Sequence, residues 1–100
     1  MTIEERNKFL KVFFKSCEEV LETKGRDYTP DGIAFSDVID TANDIGITPE
    51  KVLWIAMKKH ISAVKSYVKY GRLESEPIKN RLIDIANYAA LIAVLLETKK

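Results

Sequence analysis

Asp84 stands in the run from Ile78 to Leu96, where most other positions are apolar. An ionised carboxylate in such surroundings has to meet a cation, a hydrogen-bond donor, a metal or a ligand, because burying it unpaired costs several kcal/mol. Glu76, Asn80, Asp84 and Asn87 follow one another at spacings of four, four and three, which lays them along one helical stripe with Arg81 and Tyr88 beside it. Buried acids and amides need partners, so something from elsewhere in the chain must answer that stripe. A structural answer is an ion pair of Asp84 with Lys59 or Arg81, or a hydrogen bond to His60. A functional answer is a bound ligand.

Two further groupings carry chemistry. Glu18, Glu19 and Glu22 spell EExxE, with Glu18 and Glu22 on one side of a helix. That spacing holds a divalent ion when further carboxylates converge on it, since Mg²⁺ takes octahedral oxygen ligands; without them, pairing with Lys15 accounts for the charges. The stretch ETKGRDYTPDG brings Lys24, Arg26, Asp27 and Tyr28 together just before Pro30, as a helix stop and turn or as one wall of a pocket. The single histidine, His60, and the single cysteine, Cys17, exclude a His-rich or Cys-based metal cluster and an internal disulfide. Cys17 reads as a packing residue. No glycine-rich phosphate loop occurs, and no nucleophile, histidine and acid arrangement can be built.

The elements that must position these groups are all helical. Thr2 and Glu5 make a capping box, and Ile3, Phe9, Leu10, Phe13, Phe14, Cys17, Val20 and Leu21 recur at helical spacing up to an expected stop at Gly25. Phe35 to Ile45 is a shorter amphipathic helix closed by Gly46. Thr48-Pro49-Glu50 starts a long helix, about 49–70, and a last one begins near Ser75 and Pro77 and covers about 76–98. In the third helix Lys51, Lys58, Ser62, Lys65 and Lys69 share a solvated side. The other side collects Leu53, Ala56, Met57, Ala63, Val64 and Tyr67, with His60 in its middle and Lys59 at its edge. The fourth helix is apolar nearly all round and must be central or covered by another subunit. The expectation is an all-α fold, one small four-helix bundle-like domain over residues 1–100, assembled as a homo-oligomer with a dimer as default.

Composition narrows the function classes. Hydrophobic residues make up 46% of 100 residues and the net charge is +1, which fits a folded chain with no overall pull on nucleic acid. Residues 31–50 are acidic and residues 51–81 hold eight Lys/Arg, which suggests either pairing between neighbouring helices or a cationic face for phosphate. No charge-free apolar run is long enough to span a bilayer and the first residues are acidic, so the expected location is the cytoplasm, with no membrane partner.

Three segments in order, KGRDY (Lys24–Tyr28), WIAMKKH (Trp54–His60) and RLIDIANY (Arg81–Tyr88), resemble the nucleotide modification associated domain 1 family of small helical phage proteins, across about residues 22–92. The resemblance implies a phage or prophage protein, in the host cytoplasm, that handles a nucleotide. A more distant similarity is to MazG-like all-α nucleoside triphosphate pyrophosphatases, which hold Mg²⁺ with EExxE and ExxD carboxylates; here Arg81 stands where the second motif has its glutamate. The ligand-binding set expected is Lys24, Arg26, Asp27, Tyr28, Lys59, His60, Arg81, Asp84, Asn87 and Tyr88, with no cofactor. The alternatives are an Mg²⁺-dependent hydrolase using Glu18, Glu22 and Asp84, and a structural, partner-binding bundle.

Overall fold

The computed structural model describes residues 1–73 and 76–99, with no strand among them. Its elements are α1 (Ile3–Tyr28), α2 (Ser36–Ile45), α3 (Pro49–Tyr70) and α4 (Ile78–Glu97). Local chemistry sets most of their ends. The Thr2 hydroxyl accepts from the Glu5 N–H at 3.0 Å, Thr48 accepts from Lys51, and Pro49 sits at the first helical position of α3. Gly46 and Gly71 close α2 and α3 at φ of 71° and 79°, a region that costs glycine nothing.

Two boundaries differ from expectation. The first helix does not stop at Gly25 but continues to Tyr28. A glycine inside a helix costs about 0.5–1 kcal/mol relative to alanine, which the end of the helix offsets, because the Thr29 N–H and hydroxyl both donate to the Gly25 carbonyl at 2.9 and 2.7 Å. Pro30, with no N–H, then ends the run. Lys24, Arg26 and Tyr28 are therefore on the last turns of a rigid helix rather than on a loop. The fourth helix begins at Ile78, after Pro77; Ser75 lies outside the described residues.

The packing order is α1, α4, α3, α2: α3 and α4 form the main pair, α1 packs on α4, and α2 packs on α3. The central pair is antiparallel, since Glu50 at the start of α3 meets Lys99 just beyond α4 at 2.6 Å while His60, midway along α3, stacks on Tyr88. Lys51, Lys58, Ser62, Lys65 and Lys69 of α3 all face water, and Leu53, Met57 and His60 are buried, as the 100° periodicity requires. The α2 acids Asp40 and Asp44 are exposed and form no ion pair among the described residues, so the charge contrast between α2 and α3 is not spent on pairing.

The core is thin: Cys17, Ala42, Leu53, Met57, Ile83 and Leu95 are its buried apolar members. Much of α4 stays uncovered, with Val94 and Leu96 about half exposed, and so does the first half of α1, where Ile3, Phe9, Val12 and Phe14 are exposed. The radius of gyration is 15.4 Å, against about 13 Å for a compact chain of this length. No helix among the described residues is long and apolar enough to cross a membrane.

Candidate functional site

The polar stripe of α4 is answered residue by residue. Asp84 is buried, and its Oδ1 takes the Lys24 ammonium from α1 at 2.8 Å, while Oδ2 lies 3.7 Å from His60 Nδ1. That ring nitrogen is engaged elsewhere, by Arg81 Nη1 at 3.0 Å. A guanidinium only donates, so Nδ1 accepts and the imidazole is neutral with its proton on Nε2. Arg81 also pairs through Nε with Glu76 at 2.7 Å. The Asn87 amide donates to the Cys17 carbonyl at 2.9 Å, a second strut between α1 and α4. Asn80 is exposed and meets water.

Electrostatics follow from this layout. Burial works against the Lys24 ammonium, yet the hydrogen bond and Coulomb attraction of Asp84 outweigh it and raise its pKa above the ordinary lysine value. His60 moves the other way: burial lowers its pKa, and the Arg81 and Lys59 charges add to that against Asp84 and Glu76. The Tyr88 phenol is pushed up, mainly by burial. The cluster is a neutral histidine between a committed arginine and an acid that its lysine holds.

Beside this cluster the neighbour order α1, α4, α3, α2 leaves a wedge, because α1 and α2 sit on opposite members of the central pair. The wedge is a cavity of about 350 Å³, open on one side. Tyr28, Phe35 and Tyr88 supply aromatic wall, and Leu21, Val38, Leu53 and Leu91 supply aliphatic wall. Lys24, Asp37, Asp84 and Asn87 are its ionic and amide groups. Phe35 holds a left-handed backbone, φ 64°, which costs a non-glycine residue of order 1 kcal/mol and persists only where the surrounding structure over-determines it. The preceding turn holds it there: the Asp31 carboxylate accepts from the Ile33 N–H at 3.0 Å and the Ser36 hydroxyl at 3.3 Å.

The ten expected ligand-binding residues thus separate. Lys24, Tyr28, Asp84, Asn87 and Tyr88 line the cavity, and Arg26 lines a shallow groove next to it. His60 and Arg81 stand behind the wall and fix Tyr88 and the α3–α4 seam instead of facing the cavity. Lys59 is exposed and reaches His60 only through its charge, and Asp27 is exposed outside both hollows. Asp37, Phe35 and Leu53 also line the cavity; the sequence shows the amphipathic period of α2 but not that α2 faces the end of α1.

The carboxylate set Glu18, Glu22 and Asp84 is not assembled. Glu18 and Glu22 are exposed on α1, and among the described residues the one group of three whose ligand atoms lie within 4.8 Å of one another is His60, Glu76 and Asp84. Arg81, in contact with His60 and Glu76, already supplies positive charge there. No protein-family model, curated protein or solved structure matched the chain.

Proposed function

We propose that this protein binds a nucleotide or nucleotide-derived small molecule in the α1–α2–α4 cavity without turning it over, and works as a homo-oligomer in the cytoplasm of a phage-infected or prophage-bearing host. The observation that carries this reading is a mostly apolar hollow with three aromatic rings and, in its wall, a buried Asp84 carboxylate paired with the half-exposed Lys24. About 350 Å³ accommodates a base with its sugar. The rings offer stacking surface for any base. Asp37 and Asp84 accept from ring N–H and amino donors, and Asn87, its amide spent on Cys17, keeps its carbonyl oxygen as an acceptor. Such a protein sequesters a nucleotide signal or hands a nucleotide to a modifying enzyme. Metal-dependent hydrolysis is the weaker reading, because Glu18 and Glu22 stand apart from Asp84 and Arg81 already supplies positive charge to the one compact ligand set among the described residues.

Oligomerisation is supported by the uncovered apolar surface of α4 and of the first half of α1. A second copy packed about a two-fold axis, the usual symmetry of a dimer, would cover that surface.

Thermal denaturation with a panel of nucleosides, nucleotides and cyclic nucleotides, with and without Mg²⁺, tests the reading. At a hundredfold excess over Kd, ligand binding adds about 2.7 kcal/mol, so at least one member should raise Tm by several degrees and be recovered intact after denaturation. Released pyrophosphate would establish hydrolysis instead. No shift with any member would leave only a structural or partner-binding bundle.

A further inference from the structure

Gly25 lacks a local reason to be glycine. It is not among the glycines of positive φ, which are Gly32, Gly46 and Gly71, and a Cβ built on it would meet nothing within 4 Å. It lies inside α1, where alanine would hold the helix better. Its bare backbone borders both hollows, the cavity on one side and on the other the groove that contains Arg26 and Glu22; Thr29 and Ala34 also border both, so the two adjoin at Gly25.

Charge divides the labour between them. Within the cavity, Asp37 and Asp84 face a single lysine that is already bound to Asp84, so a phosphate there would meet net negative charge. Arg26 is exposed, its guanidinium makes only a long 3.4 Å hydrogen bond to the Thr23 hydroxyl, and it joins no ion pair among the described residues. Glu22 shares the groove, and its charge tempers the field of Arg26 without engaging it in an ion pair.

We infer that Gly25 is a threshold kept open for an elongated ligand, whose ring and sugar occupy the cavity and whose anionic end crosses Gly25 to reach Arg26. The inference rests on the nucleotide-binding reading and assigns the ligand class: a nucleoside carrying at least one phosphate, held with its ends in different hollows. A side chain at position 25 would fill the crossing while leaving the fold undisturbed.

Calorimetric titration with the ribo- and deoxyribonucleosides of the common bases and their 5′-monophosphates, on wild type, Gly25→Ala and Arg26→Ala, tests it. For at least one base, wild type should prefer the monophosphate to its nucleoside by tenfold or more. Gly25→Ala should melt roughly 2–8 °C higher and bind that monophosphate at least tenfold more weakly. Arg26→Ala should keep its Tm and bind the monophosphate no better than the nucleoside. A Gly25→Ala protein that binds with unchanged affinity, or that is destabilised, would remove the threshold while nucleotide binding stands. An undiminished phosphate preference in Arg26→Ala would likewise overturn the inference. Wild type that binds none of the panel overturns both the inference and the reading beneath it.

Discussion

The two halves of α1 carry the same apolar period and meet different fates. From Cys17 to Tyr28 the helix is tied to α4 by the Asn87–Cys17 hydrogen bond and the Lys24–Asp84 pair, and it forms a wall of the cavity. From Ile3 to Phe14 it presents Phe9, Val12 and Phe14 to solvent. Amphipathic spacing states which face wants cover but not what covers it. In the second half the polar residues of another helix settle the matter, because Asp84 and Asn87 cannot be left unpaired. In the first half no such polar demand exists, and the apolar stripe stays exposed.

Substitutions in the covered region should cost most. Leu53 is 2% exposed and closes the cavity from α3, so Leu53→Ala should lower the unfolding free energy by about 2–4 kcal/mol, read from urea titration. Phe9→Ala, on a side chain 66% exposed, should cost about 0.5 kcal/mol or less at dilutions where the chain is monomeric. A cost that grows with protein concentration would show a partner seated there.

Next comes the strut itself. Lys24→Met leaves Asp84 buried without its 2.8 Å donor, with an expected loss of about 1–3 kcal/mol, discounted because the lysine side chain is 46% exposed. Adding Asp84→Leu should recover most of that loss, because an apolar pair needs no desolvated charge. If the double substitution is as unstable as the sum of the singles, the pair is not what joins α1 to α4. Asn87→Leu should cost about 1 kcal/mol through the lost bond to Cys17.

The smallest effect is in pH. His60 has its pKa lowered below 6.5 by burial and by neighbouring cations, so the unfolded chain takes up a proton first as the solution is acidified. Stability therefore falls as pH drops through about 6.5, down to the folded-state pKa, and is regained as pH rises. His60→Gln should flatten that slope in Tm measured between pH 7.5 and 5.5. The Lys24–Asp84 contribution has the opposite sign: it is present below the ordinary lysine pKa of 10.5 and lost as pH rises beyond it through the raised folded value.

The four helices and five of the cavity-lining residues are legible in the sequence. Helical spacing and the Thr2, Thr48 and Pro49 start signals located α1 and α3, because those are short-range effects. Asp84, Asn87, Lys24, Tyr28 and Tyr88 were legible because a polar stripe in an apolar helix demands partners. Gly25 misled, since the penalty of one mid-helix glycine is small against two bonds from Thr29 to its carbonyl. Their place beside the stripe points Arg81 and His60 toward the pocket, but their mutual contact at 3.0 Å puts them behind its wall. Asp37 and Phe35 were out of reach because no local signal says that α2 faces the end of α1.

Amide chemical-shift mapping of the isotopically labelled protein, during titration with whichever nucleotide raises its Tm, locates the binding site. Binding in the cavity should perturb amides only within Leu21–Thr29, Gly32–Val38, Leu53 and Asp84–Val94, with the N-terminal half of α1 and the outer lysines of α3 unmoved. Shifts centred on Lys58, Lys65 and Lys69, with the cavity residues silent, would contradict it.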